Sequence, residues 1–267
     1  MDFNDAISKW AVALRGAGRP RTTIRTRTQH LHQLAGAHTG EGPWSLTTAD
    51  LLAWCGSQDW APETRHSVRS SLRGFYAWGH AAGHTTHNPA AGLPSIPRRP
   101  PAPNPLPEAA LASALLAAPV REQLMIHLAA RCGLRRGEVA QVHTGDVVTD
   151  LLGHSLIVRG KGGRRRTVPL PDDLADLVLT RGPGYIFPGQ HDGHISAQWV
   201  GDLIGRLLPA GWTMHTLRHR FATRAYAFDR DVLTVQALLG HANPGTTQRY
   251  VRLPDDALRR TVAAVSA

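Results

Sequence analysis

Apolar positions along this chain follow two rhythms, separated by a run of prolines. In the first third the spacing is helical. TIRTRTQHLHQL sets Ile24, Leu31 and Leu34 on one face and predicts a helix that starts at Thr22 or Thr23. TTADLLAWC offers Thr48 as the cap ahead of Leu51 and Leu52. APETRHSVRSSLRGFYAWGHAAGH gives the clearest pattern: Pro62 suits a first turn, and Val68, Leu72 and Phe75 form an apolar stripe. Arg65, Arg69 and Arg73 recur every four residues on a neighbouring face. Such a stripe is either a solvated helix surface or, in a basic protein, a surface turned toward DNA.

The punctuation is GLPSIPRRPPAPNPLPEAA, which carries Pro94, Pro97, Pro100, Pro101, Pro103, Pro105 and Pro107. Such a run can be neither helix nor central strand and favours an extended strap. Residues 93–106 therefore read as an interdomain linker between a domain over 1–92 and a second over 107–267. Downstream, EAALASALLAA and VREQLMIHLAARC predict two helices, the second closed by Gly133. The rhythm then changes. SLIVRG and RRRTVPL are short β-rich runs around KGG and predict a hairpin with Lys161 at its tip. Helix returns from about Ser196 to the end. The fold class is mainly α with a small β-sheet: an all-helical N-terminal domain followed by an α+β domain. There is no internal repeat and no long low-complexity tract.

Composition changes this picture in three ways. At 267 residues, 42% hydrophobic and 19% charged, the chain can bury two cores. No apolar run reaches a bilayer span, MDFNDAISKW lacks the build of a signal peptide, and two cysteines make no disulfide framework, so a reducing cytoplasmic setting is expected, in a bacterium or a phage-infected host. The formal charge of +10 must sit on the surface, where it attracts polyanions. Nearly all of that charge is arginine; the two lysines are Lys9 and Lys161. Arginine suits bidentate contact with phosphate.

Two familiar chemistries do not fit. GKGG lacks a phosphate-binding loop's other residues, with Ser155 where the first glycine belongs and Gly162 after the lysine. HTLRH has His215 and His219 at a zinc-binding spacing, but Thr216 stands where such sites carry their glutamate. Three other stretches carry more when taken together: ARCGLRRGEVAQV (130–142), HTLRHRFATRAY (215–226) and LLGHANPGTTQRYVRL (238–253). Singly they are a basic turn entering a helix, a capped helix start, and a glycine-ended helix followed by a turn.

In this order, with GKGGRRRTVPL between the first two, they resemble the boxes of the tyrosine recombinases, the phage integrase and Xer family. The resemblance covers the second domain and is weaker over the first, whose end FYAWGHAAGHTTHNPAAGL is similar to the family's core-binding domain. It implies a core-binding domain plus a catalytic domain that close as a clamp around duplex DNA. It also implies a site: Arg135 as the first catalytic arginine, Lys161 as the hairpin lysine, His215 and Arg218 in the second box, His241 in the third, and Tyr250 as nucleophile nine residues later. Glu138 matches a supporting acidic position and His219 a scaffold histidine. No catalytic position departs from the pattern. The chain starts almost at the core-binding domain, so an arm-less integrase or Xer-like enzyme is expected.

The residue types suit the reaction. Attack on a phosphodiester spreads negative charge over the non-bridging oxygens, which two guanidiniums and a histidine can bind. A tyrosine phenol is protonated at neutral pH, so it needs a base such as His215. The leaving 5′-oxygen needs a proton, and a lysine among arginines has its pKa pushed down enough to supply one, which a guanidinium hardly can. The 3′-phosphotyrosyl bond conserves the backbone's energy for rejoining, so no cofactor and no metal is expected. The resemblance implies double-stranded recombination sites as partners and a homo-oligomer on DNA, a tetramer in the synapse, with room for accessory DNA-bending or directionality proteins and no role for a membrane. The tail PDDALRRTVAAVSA can dock on a neighbour or pack on its own domain. Two other readings stand beside this one: a type IB topoisomerase-like or hairpin-forming relative, and a non-catalytic DNA-binding regulator.

Overall fold

The computed structural model describes residues 1–97, 104–160 and 163–240, apart from the side chain of residue 229. The chain divides into two compact units, Met1–Arg99 and Pro100–Ala267.

The first unit is helical, with α1 (Phe3–Gly16), α2 (Arg21–Ala37), α3 (Thr48–Gly56) and α4 (Pro62–Ala81). In α1, Phe3, Ala6, Ile7, Trp10 and Leu14 are buried at helical spacing, an element additional to those expected from the sequence. The predicted start of α2 shifts slightly, to Arg21 after Pro20. The cap of α3 is Thr47 rather than Thr48, because Asp50 at the third helical position bonds back to the Thr47 N–H and closes a capping box. Pro62 stands in the first turn of α4 as expected. These helices close over Leu31, Leu34, Leu51, Leu72 and Phe75, all fully buried. Each such side chain stabilises the unit by about 1.5–3 kcal/mol. Trp44 stacks on Phe75 at 5.1 Å, and Trp10 meets the same ring edge-on.

The second unit starts with α5 (Glu108–Ala117), α6 (Val120–Cys132) and α7 (Arg136–Ala140). A 3-10 turn at Thr144–Asp146 leads into β1 (Val147–Asp150), β2 (Gly153–Arg159) and β3 (Arg165–Leu170), and then α8 (Asp172–Leu179) and the short β4 (Pro188–His191). Then come α9 (Ala197–Leu207), α10 (Met214–Asp229) and α11 (Val232–Leu239). Helix α6 is the spine. Its Leu124, Met125, Ile126, Leu128, Ala129 and Cys132 are buried, and α8, α9 and α10 pack around it.

The predicted hairpin exists, but β1 joins it, so the sheet is three-stranded and antiparallel in the order β1-β2-β3. VVTD is β-branched enough to pair with β2, and the Asp150 carboxylate accepts from the Leu152 N–H to shape the turn between them. Likewise, the helix expected from Ser196 is interrupted. Ser196 caps α9, and the segment PAGWT separates it from α10, where Thr213 caps a fresh start. Leu93 is buried with the first unit and Leu106 with the second. Among the described residues no helix is long and apolar enough to cross a membrane.

Candidate active site

The first box is built on a helix stop. Gly133 ends α6 at φ 67°, a left-handed turn that glycine adopts without strain. It also sits tight: a Cβ there would lie 2.5 Å from the Phe221 ring on α10. The turn releases Leu134 into the core and places Arg135 at the start of α7 with extended backbone. Glu138, one turn on, accepts from the Arg135 N–H and from its Nη1, each at 2.8 Å. Arg135 is thus tethered from behind, while its side chain remains 41% exposed.

Glu138 is the hub. Its side chain is 5% exposed and faces three guanidiniums. Arg166 of β3 donates Nη1 to one carboxylate oxygen and Nη2 to the other, both at 2.8 Å. Arg218 of α10 approaches to 3.6 Å. Burial alone would raise this carboxyl's pKa. The Arg166 hydrogen bonds and charge, the Arg135 N–H and the Arg218 charge outweigh it and hold the value at about 2.

The second box lies on the first turns of α10. His215, Arg218 and His219 fall three and four residues apart and so share a face. Arg218 is 1% exposed; its Nη1 donates to the Gly133 carbonyl and its Nη2 to the Leu239 carbonyl. His215 meets His219 edge-on, ring centroids 4.7 Å apart. His215 is an exposed residue that lines the cleft, yet its ring is partly desolvated. That partial desolvation, with Arg218, Arg135 and Arg136 nearby, lowers its pKa from the ordinary 6.5. Desolvation, then the His215 and Arg218 charges, takes His219 down to about 4.

Between these elements opens a cleft of about 550 Å³. Arg135, Arg136, His215 and Arg218 line it together with Gln198 and Asp202 from α9. Three arginines and the N-terminal turn of α10 give it the character of an anion site. It brings together the three predicted residues Arg135, His215 and Arg218, with Glu138 bonded to Arg135 and His219 packed edge-on against His215. Lys161, His241 and Tyr250 lie outside the described residues. The chain can be followed up to Lys161 and up to His241. Gly160 sits where a Cβ would lie 3.9 Å from Glu138 Oε1, so the hairpin leaves the sheet beside the hub. At the other end, α11 stops at Gly240 with φ 62°. The Leu238 carbonyl is held by Arg166 at 2.7 Å and the Leu239 carbonyl by Arg218.

Arg166 is the site residue that sequence reasoning missed. The signal was present in the strand period. Val168 and Leu170 of β3 are buried, and two residues back from Val168 the same face carries Arg166, opposite Val158. RRR reads as one basic run, yet only its third member turns inward.

The arginine stripe of α4 is also not uniform. Arg65 donates to the carbonyls of Trp60, Gln58 and Cys55, and Arg69 to that of Leu93 at 2.8 Å. Arg73 is exposed and makes one long bond, 3.3 Å, to the Ala91 carbonyl.

Residues 108–256 match the model of the phage integrase family. The tyrosine recombinase XerC of Xylella fastidiosa (strain 9a5c) is 36% identical over 69% of this chain and 68% of that protein. The XerC of Chromohalobacter salexigens is 34% identical over 93% of this chain and 91% of that protein. Among solved structures, a lambda integrase tetramer bound to a Holliday junction superposes with a TM-score of 0.77 at 18% identity, covering 96% of this chain and 80% of that one. The XerH recombinase in its post-cleavage complex with palindromic difH gives 0.72 at 18% identity, over 98% and 84%. These structures share the fold.

Proposed function

The chain belongs to the phage integrase family, and on that premise we propose how its cleft cuts and rejoins DNA. It is a site-specific tyrosine recombinase. The observation that supports the site assignment is the convergence of Arg135, backed by Glu138, with His215 and Arg218 in one cleft. The scissile phosphate enters that cleft. Arg135, the more exposed of the two box arginines, binds a non-bridging oxygen, and Arg218 holds the positive floor beneath it.

The phenol oxygen of Tyr250 attacks phosphorus and gives its proton to neutral His215. The new bond is tyrosyl oxygen to phosphorus. The bond broken is phosphorus to the 5′-oxygen, which takes a proton from Lys161. His241 donates to a non-bridging oxygen. A 5′-hydroxyl from another strand then reverses each transfer and rejoins the backbone. The roles of Lys161, His241 and Tyr250 rest on the sequence boxes. No cofactor or metal enters these steps.

Double-stranded DNA is the partner. The relatives are described as a lambda integrase tetramer on a Holliday junction and XerH on its difH substrate, which supports a homo-oligomer that works on paired sites here too. The helical first unit is the core-binding domain, residues 93–106 the strap that joins it to the catalytic domain, and Arg73 the arginine of the α4 stripe open to phosphate. The enzyme works in the cytoplasm, where accessory DNA-bending proteins can join it.

A randomised duplex library tests this without a chosen target sequence. Incubate the full-length protein with the library, denature, and sequence the DNA that stays attached to protein. Nicked duplexes carrying the recovered sequence then give an adduct with the wild type and none with Tyr250→Phe. No adduct with the wild type, or an adduct that persists in Tyr250→Phe, refutes the assignment. Exchange between two such duplexes separates recombination from mere relaxation.

A further inference from the structure

We propose that Arg166 is a positioning residue of this cleft: one guanidinium orients Arg135 through Glu138 and makes that orientation depend on the seating of α11. The inference rests on the reading of the cleft as the phosphate site.

Three donors of Arg166 meet three acceptors on two different elements. Nη1 and Nη2 bind the two oxygens of Glu138, and Nε binds the Leu238 carbonyl in the last turn of α11. A planar guanidinium with all three positions engaged fixes α7 and α11 relative to β3. The side chain is only 10% exposed, so it has little water to fall back on if a partner leaves.

The approach is close by construction. Gly240 follows α11, and a Cβ at that position would lie 2.8 Å from Arg166 Cδ. Only a residue without a side chain lets the helix end settle against the arginine, and its φ of 62° asks for glycine as well.

The path to chemistry is short. Glu138 anchors Arg135 at two points, its N–H and its Nη1. Glu138 can face Arg135 correctly only if its own plane is fixed, and the bidentate pair with Arg166 fixes it. If α11 withdraws, the Leu238 carbonyl leaves with it. Arg166 then loses its third contact and its fixed plane, Glu138 turns, and Arg135 loses its aim. The helix that leads into the third box thereby controls how well the first box grips phosphate.

A purely structural ion pair would fail differently, and the substrate can be varied to tell the two apart. The full-length protein and its Arg166→Lys variant are compared in single-turnover cleavage of the captured sequence as a nicked duplex. Three scissile linkages are used: the ordinary phosphodiester, a methylphosphonate that removes the charge Arg135 grips, and a 5′-phosphorothiolate whose leaving sulfur needs little protonation. Lysine keeps the charge but cannot bind three acceptors in one plane. Arg166→Lys should cleave the ordinary linkage about 100-fold more slowly, with DNA affinity close to wild type. The deficit should shrink to a few-fold on the methylphosphonate and stay undiminished on the phosphorothiolate. Arg135→Ala should show the same order. Gly240→Ala, which crowds Arg166 from the α11 side without changing charge, is the second variant and should reproduce it. Wild-type cleavage by Arg166→Lys, an equal deficit on all three linkages, or rescue by the sulfur linkage would each overturn the proposal. If Arg166→Lys does not fold, the Gly240→Ala pattern decides alone. Absence of an adduct with the wild-type protein would instead refute the phosphate-site reading beneath it.

Discussion

Glu138→Gln removes the carboxylate charge that, among the described residues, pairs with Arg135, Arg166 and Arg218, while keeping the side chain's shape. Its cost can be worked from the carboxyl's acidity, held at about 2 where an ordinary glutamate sits at 4.5. With about 1.4 kcal/mol for each tenfold change in proton affinity, the folded state gains roughly 3 kcal/mol from this ionised group at neutral pH. Removing one member of a buried ion pair costs about 3–5 kcal/mol in other proteins, which agrees. For a unit of this size, 1 kcal/mol moves the midpoint by about 2–4 °C, so the second unit should melt roughly 6–12 °C earlier. Scanning calorimetry of the full-length protein reads this, with the transition of the first unit as an internal reference. The pH dependence carries a definite sign. The folded pKa lies below the unfolded one, so the contribution is complete above about 4.5 and disappears as pH falls toward 2. The gap between wild type and Glu138→Gln should therefore be widest at neutral pH and close across that window. Equal melting at pH 7, or a gap that stays constant from pH 4.5 to 2, would refute the reasoning.

Three further outcomes are expected. Lys161→Arg should bind DNA as the wild type does yet lose most cleavage of an ordinary linkage, and a 5′-phosphorothiolate should restore it; wild-type cleavage by Lys161→Arg would remove the lysine from the role of acid. Because desolvation and three arginines hold His215 below the ordinary 6.5, it stays neutral and able to accept a proton as pH falls through that value, so single-turnover cleavage should hold at pH 6.5 and fail only below it; an acidic inflection at or above 6.5 would exclude His215 as the base. On α4, Arg73→Gln should lower the slope of log affinity against log salt by about one, whereas Arg65→Gln, which removes donors from three carbonyls, should lower the melting point of the first unit and leave the slope alone; the reverse pattern would exchange their roles.

Much of this was legible in the sequence, for identifiable reasons. Pro62 and Gly133 act locally, so their places in α4 and α6 follow from backbone chemistry alone. The β2–β3 hairpin was readable because two β-rich runs flank a glycine-rich turn. Strand β1 was not, since its four residues become a strand only by pairing with β2, which is a non-local event. The break between α9 and α10 depends on Trp212, Met214 and their neighbours packing against a core that other segments build. In the site, residues that face the cleft sit in compact boxes and could be named. The strand period turns Arg166 inward, but its role could not be read, because its partners Glu138 and Leu238 are 28 and 72 residues away along the chain. The stripe of α4 leaves its role open for the same reason: every-fourth-residue spacing shows a shared face but not which carbonyls that face meets.

The two left-handed helix ends at Gly133 and Gly240 bear on how such a site could be rebuilt elsewhere. Crowding guanidiniums into one place is an electrostatic problem before any DNA arrives. Here the carbonyl ends of α6 and α11 converge on Arg218, and that of α11 also on Arg166, supplying partial negative charge beside the Glu138 carboxylate. Phosphate therefore meets cations that are already mutually tolerant and need little rearrangement to receive it. A designer who transplanted the reactive side chains onto another scaffold, and left those two helix ends behind, would obtain a cluster that repels itself and collapses away from the geometry it was meant to hold.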